Sequence, residues 1–134
     1  MNTNTHSIRK YKILIAEDNL LNRELLIKFL EKRNFEVITA KNGNEAFDSY
    51  LENKPDLIIM DIEMPLVNGY EATARIRESE KKTRSCVPIM ALTGHYLNGE
   101  NKEINECGMN DYLQKPIDFD LLVNKIMSLL KREN

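Results

Sequence analysis

"LIIMDIEMP", residues 57–65, runs four apolar residues straight into Asp61, and Glu63 and Pro65 follow within four positions. A dry run of this kind reads as a strand covered on both faces. A carboxylate at the end of a buried strand is costly unless something compensates it. The usual compensators are a metal, a lysine or a chemical task, and the rest of the chain decides among them.

Four further apolar runs flank this one: "YKILIA" (11–16), "FEVITA" (35–40), "VPIMAL" (87–92) and "DYLQ" (111–114). The first and fourth runs along the chain are nearly continuous and suit central strands, whereas "FEVITA" alternates and "DYLQ" is short, which suits edges. Between them, Leu21, Leu25 and Phe29, then Leu26 and Leu30, repeat at helical spacing, as do Phe119, Leu122, Val123, Ile126, Leu129 and Leu130. "KNG" (41–43) and "VNG" (67–69) signal turns ahead of helices, and Gly108 in "ECGMND" marks a helix stop. Strand alternating with helix five times predicts a parallel sheet with helices on both faces. The fold class is therefore α/β: one doubly wound (βα)5 domain over residues 11–132, flavodoxin-like, with strand order 2-1-3-4-5. Residues 1–10 read as a flexible polar leader in which His6 has no task.

Composition sets bounds on function. The chain has 134 residues, 42% hydrophobic and 30% charged, enough for one domain with a real core. Its 19 basic and 21 acidic residues give a net charge of −2, which argues against a general nucleic-acid or membrane-surface binder. No apolar run approaches the ~20 residues of a membrane helix, and the N-terminus lacks the core of a signal peptide. Cys86 and Cys107 lie outside any CxxC spacing and read as reduced, mostly buried thiols of a cytoplasmic protein.

Ligands of such a sheet bind beyond the carboxyl ends of the strands, beside strands 1 and 3. The runs deliver Glu17 and Asp18, Asp61, Thr93 and Lys115 to that edge. Any one of these alone reads as a cap or turn residue; three carboxylates, a hydroxyl and a lysine together point to chemistry. Crowded carboxylates call for a divalent cation, and oxygen-only ligands favour Mg²⁺, with Mn²⁺ as the alternative. A carboxylate beside the cation can attack phosphorus and form an aspartyl phosphate. Asp61 is the natural nucleophile, Asp18 a direct metal ligand, and Glu17 a ligand through water. Lys115 and the Thr93 hydroxyl would hold the phosphoryl oxygens.

Glu17-Asp18, "MDIEMP" with Asp61, "LTG" with Thr93 and "DYLQKP" with Lys115 resemble the receiver domain of two-component response regulators, from about residue 11 to 131. "EDNLLNRELL", "NGNEAF", "EATARIR" and "CGMNDYLQKP" look most like receivers of hybrid histidine kinases and phosphorelays. The resemblance implies that Asp61 accepts a phosphoryl group from a histidine kinase or a histidine phosphotransfer protein. It also implies that the backbone carbonyl of Glu63 joins Asp18 and Asp61 on the metal, and that Lys115-Pro116 is cis. Tyr112 matches the switch aromatic that moves with Thr93 and alters the face of the fourth helix, fifth strand and fifth helix. The chain departs from the common pattern at Glu17, where Asp is frequent, and at Gly94, where Ala is.

Glu63 and His95 sit two residues beyond Asp61 and Thr93 and are expected to set the lifetime of the phosphate, His95 through its ordinary pKa of about 6.5. Leu20, Leu21 and Arg23 could dock a histidine-bearing helical bundle, with Met64 and Leu66 extending an apolar rim; the competing reading puts the leucines in the core. The chain stops at "KREN" soon after the last helical segment, so no output domain is expected. Output would pass through protein contacts, onward phosphotransfer or a phosphorylation-dependent homodimer, with no nucleic acid or membrane as partner. Two alternatives stand beside this reading: a pseudo-receiver acting only by interaction, and an Mg²⁺-dependent phosphohydrolase of the haloacid-dehalogenase type. That enzyme wants an Asp where this chain has Glu63.

Overall fold

The computed structural model describes residues 10–94 and 102–132. Five parallel strands form one sheet: β1 (Lys12–Ala16), β2 (Glu36–Ala40), β3 (Leu57–Asp61), β4 (Ile89–Thr93) and β5 (Asp111–Gln114). The helices are α1 (Leu20–Lys32), α2 (Gly43–Asn53), α3 (Gly69–Glu80), α4 (Lys102–Cys107) and α5 (Phe119–Arg132). The order is β2-β1-β3-β4-β5, so the two apolar runs with the weakest continuity are indeed the edges. In-register pairs such as Ile15↔Ile59 and Ile59↔Met90 align the dry centres of β1, β3 and β4.

Side chains alternate across the sheet with period two, and this alternation sorts the core. Leu14, Ile58, Met60, Ile89 and Ala91 pack with Ala46 of α2, Ala72 and Ile76 of α3, and Ile104 of α4. Ile13, Ile15, Leu57, Ile59, Met90 and Leu92 pack with Leu26 and Leu30 of α1 and Leu122, Ile126 and Leu129 of α5. Both faces are covered, so β3 and β4 are buried along their whole length.

Asparagines start three helices. Asn19, Asn42 and Asn68 each accept a hydrogen bond from the backbone N–H three residues on, at 2.8 to 2.9 Å. Such a cap is worth ~1 kcal/mol. Gly108, at φ +102°, follows α4 where a left-handed residue ends a helix. Pro88 delays the start of β4 to Ile89, although its carbonyl still accepts from Ile58 N–H.

Three expectations need correction. Cys86 is exposed and Cys107 only half-buried, because Cys86 lies in the loop before the apolar run begins at Val87. Leu21 and Leu25 repeat at helical spacing but point outward at 67% and 47% exposure; the core face of α1 is Leu26 and Leu30. Met64 is buried in the core and cannot extend a surface rim, whereas Leu66 is 82% exposed.

Candidate functional site

β1, β3 and β4 end side by side, and the register carries Ala16 beside Met60 and Asp61 beside Leu92. The next residues of these strands therefore meet at one edge of the sheet. Ligand oxygens of Glu17, Asp18 and Asp61 lie within 4.8 Å of one another. Glu17 and Asp61 are buried while Asp18 is exposed, so the cluster has one open side.

Lys115 arrives from the end of β5, where its N–H donates to the Thr93 carbonyl at 2.7 Å. Its Nζ donates to Asp61 Oδ2 at 3.1 Å and sits 3.0 Å from Glu17 Oε1. The Lys115-Pro116 peptide is cis. Asp61 Oδ1 accepts the Glu63 N–H at 3.0 Å, and Glu17 Oε2 accepts the Asn19 N–H at 3.1 Å. Among the described residues, Glu17 Oε1 has charge contact with the ammonium but no aligned hydrogen bond, an incomplete solvation for a buried oxygen. An oxygen donor set of this kind, with a buried oxygen short of partners, fits a hard divalent cation.

The electrostatics agree. Burial and the neighbouring Asp61 carboxylate push the Glu17 carboxyl above its ordinary value, although Lys115 pulls the other way. Burial alone would depress Lys115, yet the Glu17 and Asp61 carboxylates outweigh it and hold the ammonium above its ordinary value. Among the described residues, Lys115 pairs with the Glu17 and Asp61 carboxylates, and the Asp18 carboxylate adds a third negative group to the cluster.

Thr93 is buried at the end of β4, and a Cβ added at Gly94 after it would meet, among the described residues, Glu63 Oε1 at an ordinary contact distance of 3.6 Å. Glu63 is exposed, with its side chain lying toward Gly94. Tyr112 is half-buried on β5, in register with Ala91, and the Lys125 ammonium stands 5.6 Å from its ring centre. His95 lies outside the described residues. Leu20, at 63% exposure, joins Leu21 and Leu25 on the outer face of α1. A groove of about 290 Å³ lined by Asn22, Leu25, Lys115, Pro116, Ile117 and Phe119 connects that face to the lysine. The reading of Leu20 and Leu21 as core residues is excluded.

Sequence reasoning placed Arg23 outward as a docking residue and missed its inward contacts. One guanidinium nitrogen, Nη1, donates to the carbonyls of Glu17 and Asp18. An arginine one turn into a helix that follows an acidic loop was the available signal.

The family model described as "Response regulator receiver domain" matches residues 13–127. The chain belongs to the receiver-domain family. This receiver is 42% identical over 120 residues to the hybrid signal transduction histidine kinase I of Dictyostelium discoideum, an alignment covering 86% of the chain and 7% of that protein. The chain thus spans a small part of that relative's length. It superposes with a TM-score of 0.84 and 35% identity on a chain from the co-crystal of Saccharomyces cerevisiae Ypd1, a histidine phosphotransfer signaling protein, with the receiver domain of its response regulator Ssk1; 90% of this chain and 88% of that one are covered. It also matches the receiver of sensor histidine kinase PA1611 from Pseudomonas aeruginosa, solved with magnesium in the active-site cleft. That match has a TM-score of 0.82 and 32% identity, over 92% of this chain and 99% of that one. Receiver domains bind Mg²⁺ in an acidic pocket, and Glu17, Asp18 and Asp61 form such a cluster in this receiver. Among the described residues, no helix is long and apolar enough to cross a membrane.

Proposed function

We propose that this receiver takes a phosphoryl group from a phosphohistidine onto Asp61. The observation that carries the reading is Asp61 itself: a buried carboxylate paired to Lys115 within a cluster of three acids at the carboxyl edge of the sheet. An Asp61 carboxylate oxygen forms the new O–P bond while the P–N bond to the donor imidazole breaks, and the electron pair leaves with the nitrogen. Asp18 and Asp61, with the Glu63 carbonyl and Glu17 through water, would hold Mg²⁺, or Mn²⁺ in its place. When bound, the cation offsets charge on the phosphoryl oxygens. Lys115 keeps its full charge beside Asp61 and is positioned to follow the new phosphoryl oxygens. The Thr93 hydroxyl supplies a further donor from β4, and Tyr112 is the aromatic that moves with it, changing the α4–β5–α5 face.

A histidine phosphotransfer protein is the donor or acceptor that the surface fits best. Leu20, Leu21 and Leu25 are exposed on α1, the groove lined by Leu25 reaches Lys115, which pairs with Asp61, and a comparable receiver is solved with such a protein. Glu63, exposed beside Gly94, and His95 are the residues we assign to the lifetime of the phosphate. A cytoplasmic setting agrees with the two free thiols. Onward relay and a phosphorylation-dependent homodimer are the two routes of output.

Intact mass after incubation with a phosphorylated histidine phosphotransfer domain and Mg²⁺ tests this, with Asp61→Asn as control. The expected result is an acid-stable, base-labile gain of one phosphoryl group in the wild type alone. Absence of that gain, together with no Mg²⁺-dependent binding of beryllofluoride, would reduce the chain to an interaction module. Turnover of small phosphate esters would instead favour a phosphohydrolase.

A further inference from the structure

The acidic loop between β1 and α1 is held by a network in which Arg23 occupies the centre. Glu17 N–H donates to the Ala40 carbonyl at 3.0 Å, and Asn19 N–H turns back to Glu17 Oε2 at 3.1 Å. The next helix closes the loop from the other side. Arg23 N–H donates to the Asn19 carbonyl at 3.0 Å, while Asn19 Oδ1 caps α1 by accepting from Asn22 N–H at 2.9 Å. Two consecutive carbonyls remain, those of Glu17 and Asp18, which lie past the end of the strand ladder. Arg23 Nη1 reaches both, at 2.9 and 3.4 Å.

From this geometry we infer that Arg23 is a positioning residue for the cation site. The inference rests on the receiver reading above and adds a residue to it. A guanidinium that fixes the carbonyls of Glu17 and Asp18 fixes the peptide planes that follow each residue. The Asp18 Cα lies between those two planes, so its carboxylate, the exposed member of the cluster, is aimed by them. Arg23 also brings a permanent positive charge to the backbone of two acids that sit near a third. Lysine keeps the charge but carries it as a point on a flexible stem, without the rigid guanidinium that holds Nη1 between the two carbonyls, so it reproduces the contact only in part. Partners that orient metal ligands without touching the metal alter affinity by about 10–100-fold when removed. The outward reading of Arg23 as a docking contact makes a different claim, since it leaves the affinity for Mg²⁺ untouched.

The experiment is calorimetric titration of Mg²⁺ into the full chain, with Arg23→Ala and Arg23→Lys beside the wild type. Far-UV circular dichroism and urea midpoints establish that each variant is folded. Arg23→Ala is expected to raise the Mg²⁺ dissociation constant about tenfold, with Arg23→Lys between it and the wild type. Without metal, the Asn19 amide should also exchange with deuterium faster in Arg23→Ala, because the loop that holds it is released. A folded Arg23→Ala with wild-type Mg²⁺ affinity overturns the inference, even if phosphotransfer from a donor is slowed. Should Arg23→Ala fail to fold, Arg23→Lys decides: unchanged affinity overturns the inference, and an affinity weakened threefold or more supports it. A wild type that binds no Mg²⁺ would overturn the proposed phosphoacceptor function, and this inference with it.

Discussion

Gly69 shows how tightly the backbone around the acidic cluster is built. A Cβ there would collide with the Asp61 carbonyl oxygen and stand 2.9 Å from Ile62 Cα, both main-chain atoms that cannot swing aside. Its N–H meanwhile donates to the Ile62 carbonyl at 2.9 Å, so the start of α3 is folded down onto the end of β3. Gly94 is the contrasting case, where the described residues bring a flexible glutamate tip no nearer than 3.6 Å. We therefore expect Gly69→Ala to cost about 1–3 kcal/mol by the measure of other overpacked sites and, under the proposed function, to slow phosphoryl transfer by displacing Asp61. Gly94→Ala should change stability by under ~0.5 kcal/mol, as for an ordinary exposed position. Urea unfolding of the two variants checks this, and equal losses would show that the close approach at Gly69 relaxes freely.

At the scale of the elements, the opposite end of the sheet is pinned by α3. Arg77 donates through Nε to the Gly108 carbonyl at 2.9 Å, through Nη1 to Glu80 Oε1 at 2.7 Å and through Nη2 to Asn110 Oδ1 at 2.9 Å. Glu80, 5% exposed, accepts the Val87 N–H at 2.6 Å with its other oxygen, and Asn110 Oδ1 also takes the Ile89 N–H. One arginine and one glutamate thereby tie α3 to the entry of β4 and to the turn after α4. Removing Glu80 leaves the buried Val87 N–H without its acceptor and takes the carboxylate from a mostly buried Arg77, which keeps only the neutral oxygens of Gly108 and Asn110. Glu80→Ala should accordingly destabilise the domain by about 3–5 kcal/mol. Glu78, two residues earlier and paired with Lys81, with side chains 76% and 74% exposed, should cost under ~1 kcal/mol when replaced by Ala. Denaturant midpoints separate the two; comparable small losses would mean that water replaces the Glu80 contacts.

For the whole molecule, the alkaline limit of stability follows from groups that ionise reluctantly when folded. Burial raises Tyr50, helped by the Glu80 charge, and raises Tyr70, helped by Glu103. Burial also raises the Cys107 thiol, against opposing hydrogen bonds to Met109 and its own backbone. In each case the folded state favours the neutral form. The stabilisation is complete below the unfolded value, about 8.5 for a thiol and about 10 for a phenol, and is lost as pH rises through the higher folded value. Thermal midpoints should hold level near neutrality and fall above about pH 9. A midpoint that stays level or climbs from there to pH 11 would contradict the argument.

The five-fold alternation of strand and helix, the edge positions of β2 and β5, and the convergence of Glu17, Asp18, Asp61, Thr93 and Lys115 could all be read in the chain. Each depends on local pattern plus a general rule of topology: apolar period, turn residues, and strand ends meeting at one edge. Only the tertiary structure decided which leucines of α1 face out. Two overlapping apolar stripes run along that helix, and the position of the sheet selects Leu26 and Leu30. Tertiary structure likewise fixed Cys86 in the open, Met64 in the core, and Arg23 and Arg77 on backbone carbonyls. Long charged side chains reach many places from one Cα, and no period in the sequence records which carbonyl lies in range. What the sequence determined was the scaffold and the set of residues that meet at its edge; packing across distant segments determined the partners that hold that edge in place.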